Sequence, residues 1–92
     1  DLNIPMVFAL EDCFRNPFNP TTNITYHIAE HAKVDIDVYN MNGQRVESLY
    51  SGLRNPGVYT LSWNASGATS GMYIIQMTSG SFVKTQKVML LK

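Results

Sequence analysis

Thr22-Asn23-Ile24-Thr25-Tyr26-His27-Ile28, followed after a short break by Ala32-Lys33-Val34-Asp35-Ile36-Asp37-Val38-Tyr39, is the stretch on which the fold turns. In the first run Ile24, Tyr26 and Ile28 alternate with Asn23, Thr25 and His27; in the second Val34, Ile36 and Val38 alternate with Asp35 and Asp37. A period of two is that of a strand with one buried face, whereas a helix would scatter these apolar positions around its surface. The pattern predicts two strands, each turning its apolar side inward. Between and beyond them, turn residues punctuate the chain at short intervals, as in a sandwich or barrel of short strands.

Downstream, Asn40-Met41-Asn42-Gly43 reads as a hairpin turn, because Asn and Gly accept the positive φ that tight loops demand. It leads to a strand over Gln44–Tyr50. Gly52 and Asn55-Pro56-Gly57 mark the next bend. Tyr59, Leu61 and Trp63 then alternate with Val58, Thr60 and Ser62, Asn64–Gly71 is a loop, and Tyr73, Ile75 and Met77 share one face of a strand over Met72–Thr78. Ser79-Gly80 turns the chain into a last strand, Phe82–Leu91. Upstream, Met6, Phe8 and Leu10 lie on one side of an opening strand. Asn16-Pro17-Phe18-Asn19-Pro20-Thr21-Thr22 is a stiff, extended loop, since each proline lacks an N–H and restrains the residue before it. Phe18 is expected to plug one end of the sandwich, with Ile24, Val38, Tyr59, Leu61 and Tyr73 at its centre. The expectation is an all-β fold: one Ig-like or fibronectin-like antiparallel sandwich of about seven strands, without a helix.

Composition agrees. Val, Ile and Thr number 20 and the aromatic residues 10 among 92, the side-chain set of a half-buried pleated sheet. A chain of 92 residues makes one domain, and 45 % hydrophobic residues suffice for its core. Lys and Arg balance Asp and Glu at seven each, so no overall field draws nucleic acid or anionic lipid. No apolar run approaches the roughly 20 residues needed to span a bilayer as a helix. The start at Asp1, with neither Met nor leader, reads as a cut from a longer polypeptide whose export signal would lie upstream. Residues 1–7 are expected to end an upstream linker and 8–92 to form the domain, a monomer.

Chemistry-bearing patterns are weak. His27-Ile28-Ala29-Glu30-His31 matches the H-x-x-E-H spacing of inverted zinc peptidases, but that chemistry needs a helix to align both imidazoles, and here the motif straddles a strand end. Asp37, Asn40 and Asn42 before Gly43 lack the spacing and the closing bidentate Glu of a calcium loop. Asp35 and Asp37, about 7 Å apart along a strand, read as a solvated outer face. Cys13 has no Cys-x-x-Cys partner or basic cluster to activate it and is expected to be a buried or semi-buried thiol. Asn23-Ile24-Thr25 and Asn64-Ala65-Ser66 fit the glycosylation pattern without further support. Trp63, Tyr59 and Tyr73 would stack on sugars if they faced outward; their alternation with Leu61 and Ile75 favours the core. No catalytic, cofactor or metal residue is assigned, and the chain is read as non-enzymatic.

The order of motifs is more specific than any one of them. Leu10, Asn16 to Thr22, Ile24 and Tyr26, Val38-Tyr39 with Gly43 and Val46, Gly57 with Tyr59, Ser70-Gly71 with Tyr73, Gly80, and Lys87 to Lys92 occur in a sequence that resembles the Ig-like C-terminal sorting domain, type A, of the type IX secretion system. The likeness runs from about Phe8 to Lys92, departing at Cys13 and Arg15, where that family often has Asn and Pro. A weaker likeness runs to the Ig-like module of flagellar hook-capping proteins. The resemblance implies an address: a domain that directs an N-terminal cargo in the same chain across the outer membrane of a Bacteroidetes-type bacterium. Translocon proteins would recognise it in the periplasm. A sortase-like cysteine peptidase would cut just upstream, near Asp1 to Pro5, leaving the cargo secreted or attached at the cell surface. For recognition, the last strand is the expected surface, through Lys84, Lys87, Met89, Leu90, Leu91 and Lys92, although lysines on an edge strand also simply discourage aggregation. Asn16, Pro17, Phe18, Asn19, Pro20, Gly43, Gly57, Tyr59, Gly71 and Tyr73 are expected to serve folding. The alternative is an Ig-like spacer or carbohydrate-binding module of an extracellular enzyme.

Overall fold

The computed structural model describes residues 7–92. Seven strands, β1 (Ala9–Leu10), β2 (Thr21–Ile28), β3 (Ala32–Asn40), β4 (Arg45–Arg54), β5 (Gly57–Asn64), β6 (Gly71–Ser79) and β7 (Phe82–Leu90), form two antiparallel sheets. The smaller sheet has the order β1-β2-β5 and the larger β4-β3-β6-β7. No helix occurs among the described residues, so the predicted all-β sandwich holds. Of the expected opening strand only Ala9 and Leu10 pair, opposite His27 and Tyr26; Met6, like the rest of 1–6, lies outside the described residues.

The two alternating runs do what their period dictates. Ile24, Tyr26 and Ile28 on β2 and Val34, Ile36 and Val38 on β3 are fully buried, facing each other across the sandwich with Ile75, Met77, Val88 and Leu90. Trp63 packs between Phe18 and Tyr73, at ring-centroid distances of 5.5 and 5.4 Å, so the loop phenylalanine does plug one end of the core. Tyr59 and Leu61 are only partly buried against the core rather than at its centre. The reason is positional: β5 is an edge strand of the three-stranded sheet and has packing neighbours on one flank only.

The hairpins follow their turn chemistry. Gly43, with φ +83°, and Gly80, with φ +60°, occupy left-handed backbone that a Cβ would strain. Gly52, expected to bend the chain, instead lies within β4 opposite Val34. The ladder to β3 continues to Arg54, and Asn55-Pro56 alone carries the chain from one sheet to the other. Two register shifts, between Ile36 and Asp37 and between Val38 and Tyr39, slip extra residues into β4 and turn Glu47 to the core side opposite Val38.

Candidate recognition surface

The last strand is clasped by the proline-rich loop. At the C-terminal end of β7, peptide groups facing away from β6 meet residues 16–18: Phe18 N–H donates to Met89 C=O and Leu91 N–H to Phe18 C=O, both at 2.9 Å. The Asn16 side chain supplies the remaining pair, donating from Nδ2 to Lys87 C=O and accepting at Oδ1 from Met89 N–H, each at 2.9 Å. A carboxamide presents one donor and one acceptor side by side, so Asn16 substitutes for the peptide unit of a neighbouring strand. Pro17 brings no N–H that would need a partner in this arrangement. The loop is tied to its own sheet as well: Thr22 Oγ1 donates to Arg15 C=O at 2.7 Å and Ala65 N–H to Pro20 C=O at 2.8 Å.

This clasp sorts the residues singled out on β7. Leu90, on the same side of the strand as Val88, is fully buried beside Phe18, with which it bridges. It belongs to the core and not to the recognition surface on which the sequence placed it. Met89 is half-buried on the outer face opposite Met72, and Lys87 is exposed opposite Ile74. Leu91 is 52 % exposed. Lys84 has the inward parity of Val88 yet is exposed, so Lys84 and Lys87 lie on opposite faces of the strand. Lys92 is fastened to the β5–β6 loop: its N–H donates to Ser70 Oγ at 3.0 Å and its Nζ to the carbonyls of Ser66 and Ala68 at 2.7 and 2.6 Å. The three lysines thus make no single basic patch. What is presented together is Lys87, Met89 and Leu91, on the outward side of the clasped strand.

The other candidates resolve into structural roles. His27 pairs with Glu11 at 2.5 Å and His31 Nδ1 bonds Asn55 Oδ1 at 2.9 Å, one on β2 and the other beyond its end. Among the described residues no group of three or more His, Cys, Asp or Glu could hold a metal ion. Asn40 Oδ1 accepts from the N–H groups of Asn42 and Gln44 at 2.9 and 3.0 Å, closing the hairpin turn. Asp35 accepts from Ser51 Oγ at 2.6 Å and Asp37 faces Arg45 at 3.7 Å. Burial, with the Asp12 charge adding to it, pushes the Cys13 thiol up to about 11, so it is a poor nucleophile at neutral pH. Trp63 and Tyr73 are buried and offer no sugar platform.

Sequence reasoning missed three features. One is the Asn16 clasp, whose only trace is an Asn before each proline. Another is the indole of Trp63 donating to Glu47 Oε1 at 3.1 Å. The third is Arg54, stacked between Tyr50 and Tyr59 at 4.3 and 4.4 Å from their ring centroids and bonded to the Tyr26 hydroxyl at 3.3 Å. Among the described residues, no helix is long and apolar enough to cross a membrane.

No curated protein matches the chain. A family model does, described as "Secretion system C-terminal sorting domain", over residues 13–91. That span holds the clasp, strands β2 to β7 and the exposed outer side of β7, and the chain belongs to this family, the C-terminal sorting domains of type IX secretion.

Proposed function

We propose that this domain is read by the type IX translocon through the outward side of its last strand, at Lys87, Met89 and Leu91 and the adjoining Lys92, while the cargo on the same polypeptide crosses the outer membrane. Membership of the sorting family supports the address role and marks the parent protein as secreted or cell-surface. The observation that carries the choice of surface is the clasp: it spends four hydrogen bonds on holding β7 in place while leaving Leu91 52 % exposed at its end. An exposed leucine beside a cation, at the end of a strand clasped on its outer edge, is a preorganised docking feature, costing little ordering on binding. Catalysis belongs to the cargo. Travel through the periplasm, removal of the domain by a sortase-like cysteine peptidase upstream of β1, and attachment of the cargo to the surface complete the reading.

The test is a reporter fused ahead of the domain, expressed in a bacterium with an intact type IX system and in a strain lacking the translocon. Reporter at the surface in the first and retained in the periplasm in the second is expected. Peptide mass spectrometry of the surface fraction reports cleavage separately, through loss of peptides from the domain while reporter peptides persist. Equal surface delivery in both strains contradicts the reading.

A further inference from the structure

Sheet edges expose unpaired peptide groups and are normally protected. Three of the four edges here are. β1 has only two residues. β7 is capped at its C-terminal end by residues 16–18 and carries Lys84 and Lys87 along the rest. β4 is broken by two register shifts and bears Arg45, Glu47 and Arg54. β5 has none of these defences: Gly57–Asn64 is eight residues long, has no proline and no charge, and pairs with β2 in unbroken register from Asn64 to Gly57.

Which peptide groups are open follows from alternation. On β2, Asn23 and Thr25 bond toward β1 and the Phe14 segment, so Thr22, Ile24, Tyr26 and Ile28 bond toward β5, where they meet Trp63, Leu61, Tyr59 and Gly57. The N–H and C=O groups of Val58, Thr60, Ser62 and Asn64 therefore point away from the sheet, and none of them has a hydrogen-bond partner among the described residues. At the Asn64 end of this edge an open groove of about 670 Å³ lies between the 40–47 turn and the 64–72 loop, with Val46, Glu47, Trp63 and Asn64 on its walls. Glu47 is the one charged side chain lining it.

We propose that the β5 edge receives an extended segment of a partner polypeptide as an added strand, with apolar residues and a Lys or Arg on its groove side and small polar residues on the other. Main-chain bonds to Val58, Thr60, Ser62 and Asn64 supply affinity, and the alternate side chains supply specificity. On the groove side they meet the exposed Val46, and the cation meets Glu47; on the other they lie beside Thr60 and Ser62. A second copy of β5 fits less well, because it brings no cation to Glu47, and Arg54 is held between Tyr50 and Tyr59. The β5 edge is the far edge of its sheet from β1, the strand that contacts β7, whereas the groove shares the 64–72 loop with Lys92; the β5 amides and the β7 side chains therefore report the two contacts separately.

The test is residue-resolved amide exchange and NMR titration with the peptide Ac-Val-Thr-Val-Thr-Lys-Thr-Val-NH2 and its counterpart carrying Glu in place of Lys. Exchange should slow at Val58, Thr60, Ser62 and Asn64 on adding the Lys peptide. Thr60→Pro should abolish the response while the domain stays folded, since proline is tolerated where an edge N–H faces solvent. Thr60→Lys should do the same, and serves should the proline variant not fold. Glu47→Gln, which retains an acceptor for Trp63, should weaken the Lys peptide by roughly threefold and erase its advantage over the Glu peptide. No slowing at those four amides, slowing at Val83 and Thr85 of β7 instead, or protection that rises with protein concentration without peptide would each overturn the proposal.

Discussion

The carboxamide of Asn16 completes two main-chain hydrogen bonds of β7, so its worth can be read from its variants. Asn16→Ala leaves Lys87 C=O and Met89 N–H to water at an exposed site, and should cost about 1–2 kcal/mol by urea denaturation. Asn16→Asp keeps the acceptor and loses the donor, and should fall between the two. Arg54→Lys keeps the charge but loses the flat guanidinium between two tyrosine rings, and should cost about 1 kcal/mol in the same assay. Cys13 reports burial through reactivity. With its thiol raised from the ordinary 9.0 to about 11, alkylation at pH 8 should be about a hundredfold slower in the native than in the urea-unfolded protein. Because the folded state holds that proton longer than the unfolded state, stability is unaffected by this group below pH 9 and declines as pH rises from 9 toward 11. Equal native and unfolded alkylation rates would contradict the buried thiol.

At the scale of elements, β7 and the loop that clasps it form one unit. Removing Met89 to Lys92 takes away buried Leu90 and both backbone bonds to Phe18, so the truncated domain should lose several kcal/mol of stability and its export defect would report unfolding as much as recognition. Leu91→Asp, at an exposed position, should change stability by no more than about 0.5 kcal/mol. Phe18→Ala, vacating the end of the core against Trp63, should cost about 3–5 kcal/mol. Thermal or urea unfolding of the three variants separates these cases. The strands themselves were legible because a buried face imposes a period of two, which β2, β3 and β6 keep without interruption. β4 was less legible: its two bulges reset the alternation, so Gly52 looked like a bend. The clasp left almost no signal, because one side chain replaces a peptide unit only through contacts about 70 residues apart in sequence.

Taken whole, the molecule is a sandwich whose interior is filled by side chains and whose outer surfaces differ in what they offer. The outer face of the β1-β2-β5 sheet is a lattice of small polar groups, Thr25 with Thr60 and Ser62 with Asn23. The opposite sheet presents Lys87, Met89 and Leu91 at its clasped edge. The family resemblance was legible because it rests on the order of turn and core motifs, which folding itself demands, whereas the division of β7 into a buried and a presented side depends on parity relative to Phe18 and emerged only with the structure. The most direct test of the account uses variants that keep the fold and change only that side: Lys87→Glu with Leu91→Asp, compared with Lys84→Glu on the opposite face of the strand. Each is fused behind the same reporter and matched by melting temperature. The account predicts periplasmic retention for the Lys87 and Leu91 variant and surface delivery for the Lys84 variant; surface delivery of both, at equal stability, would contradict it.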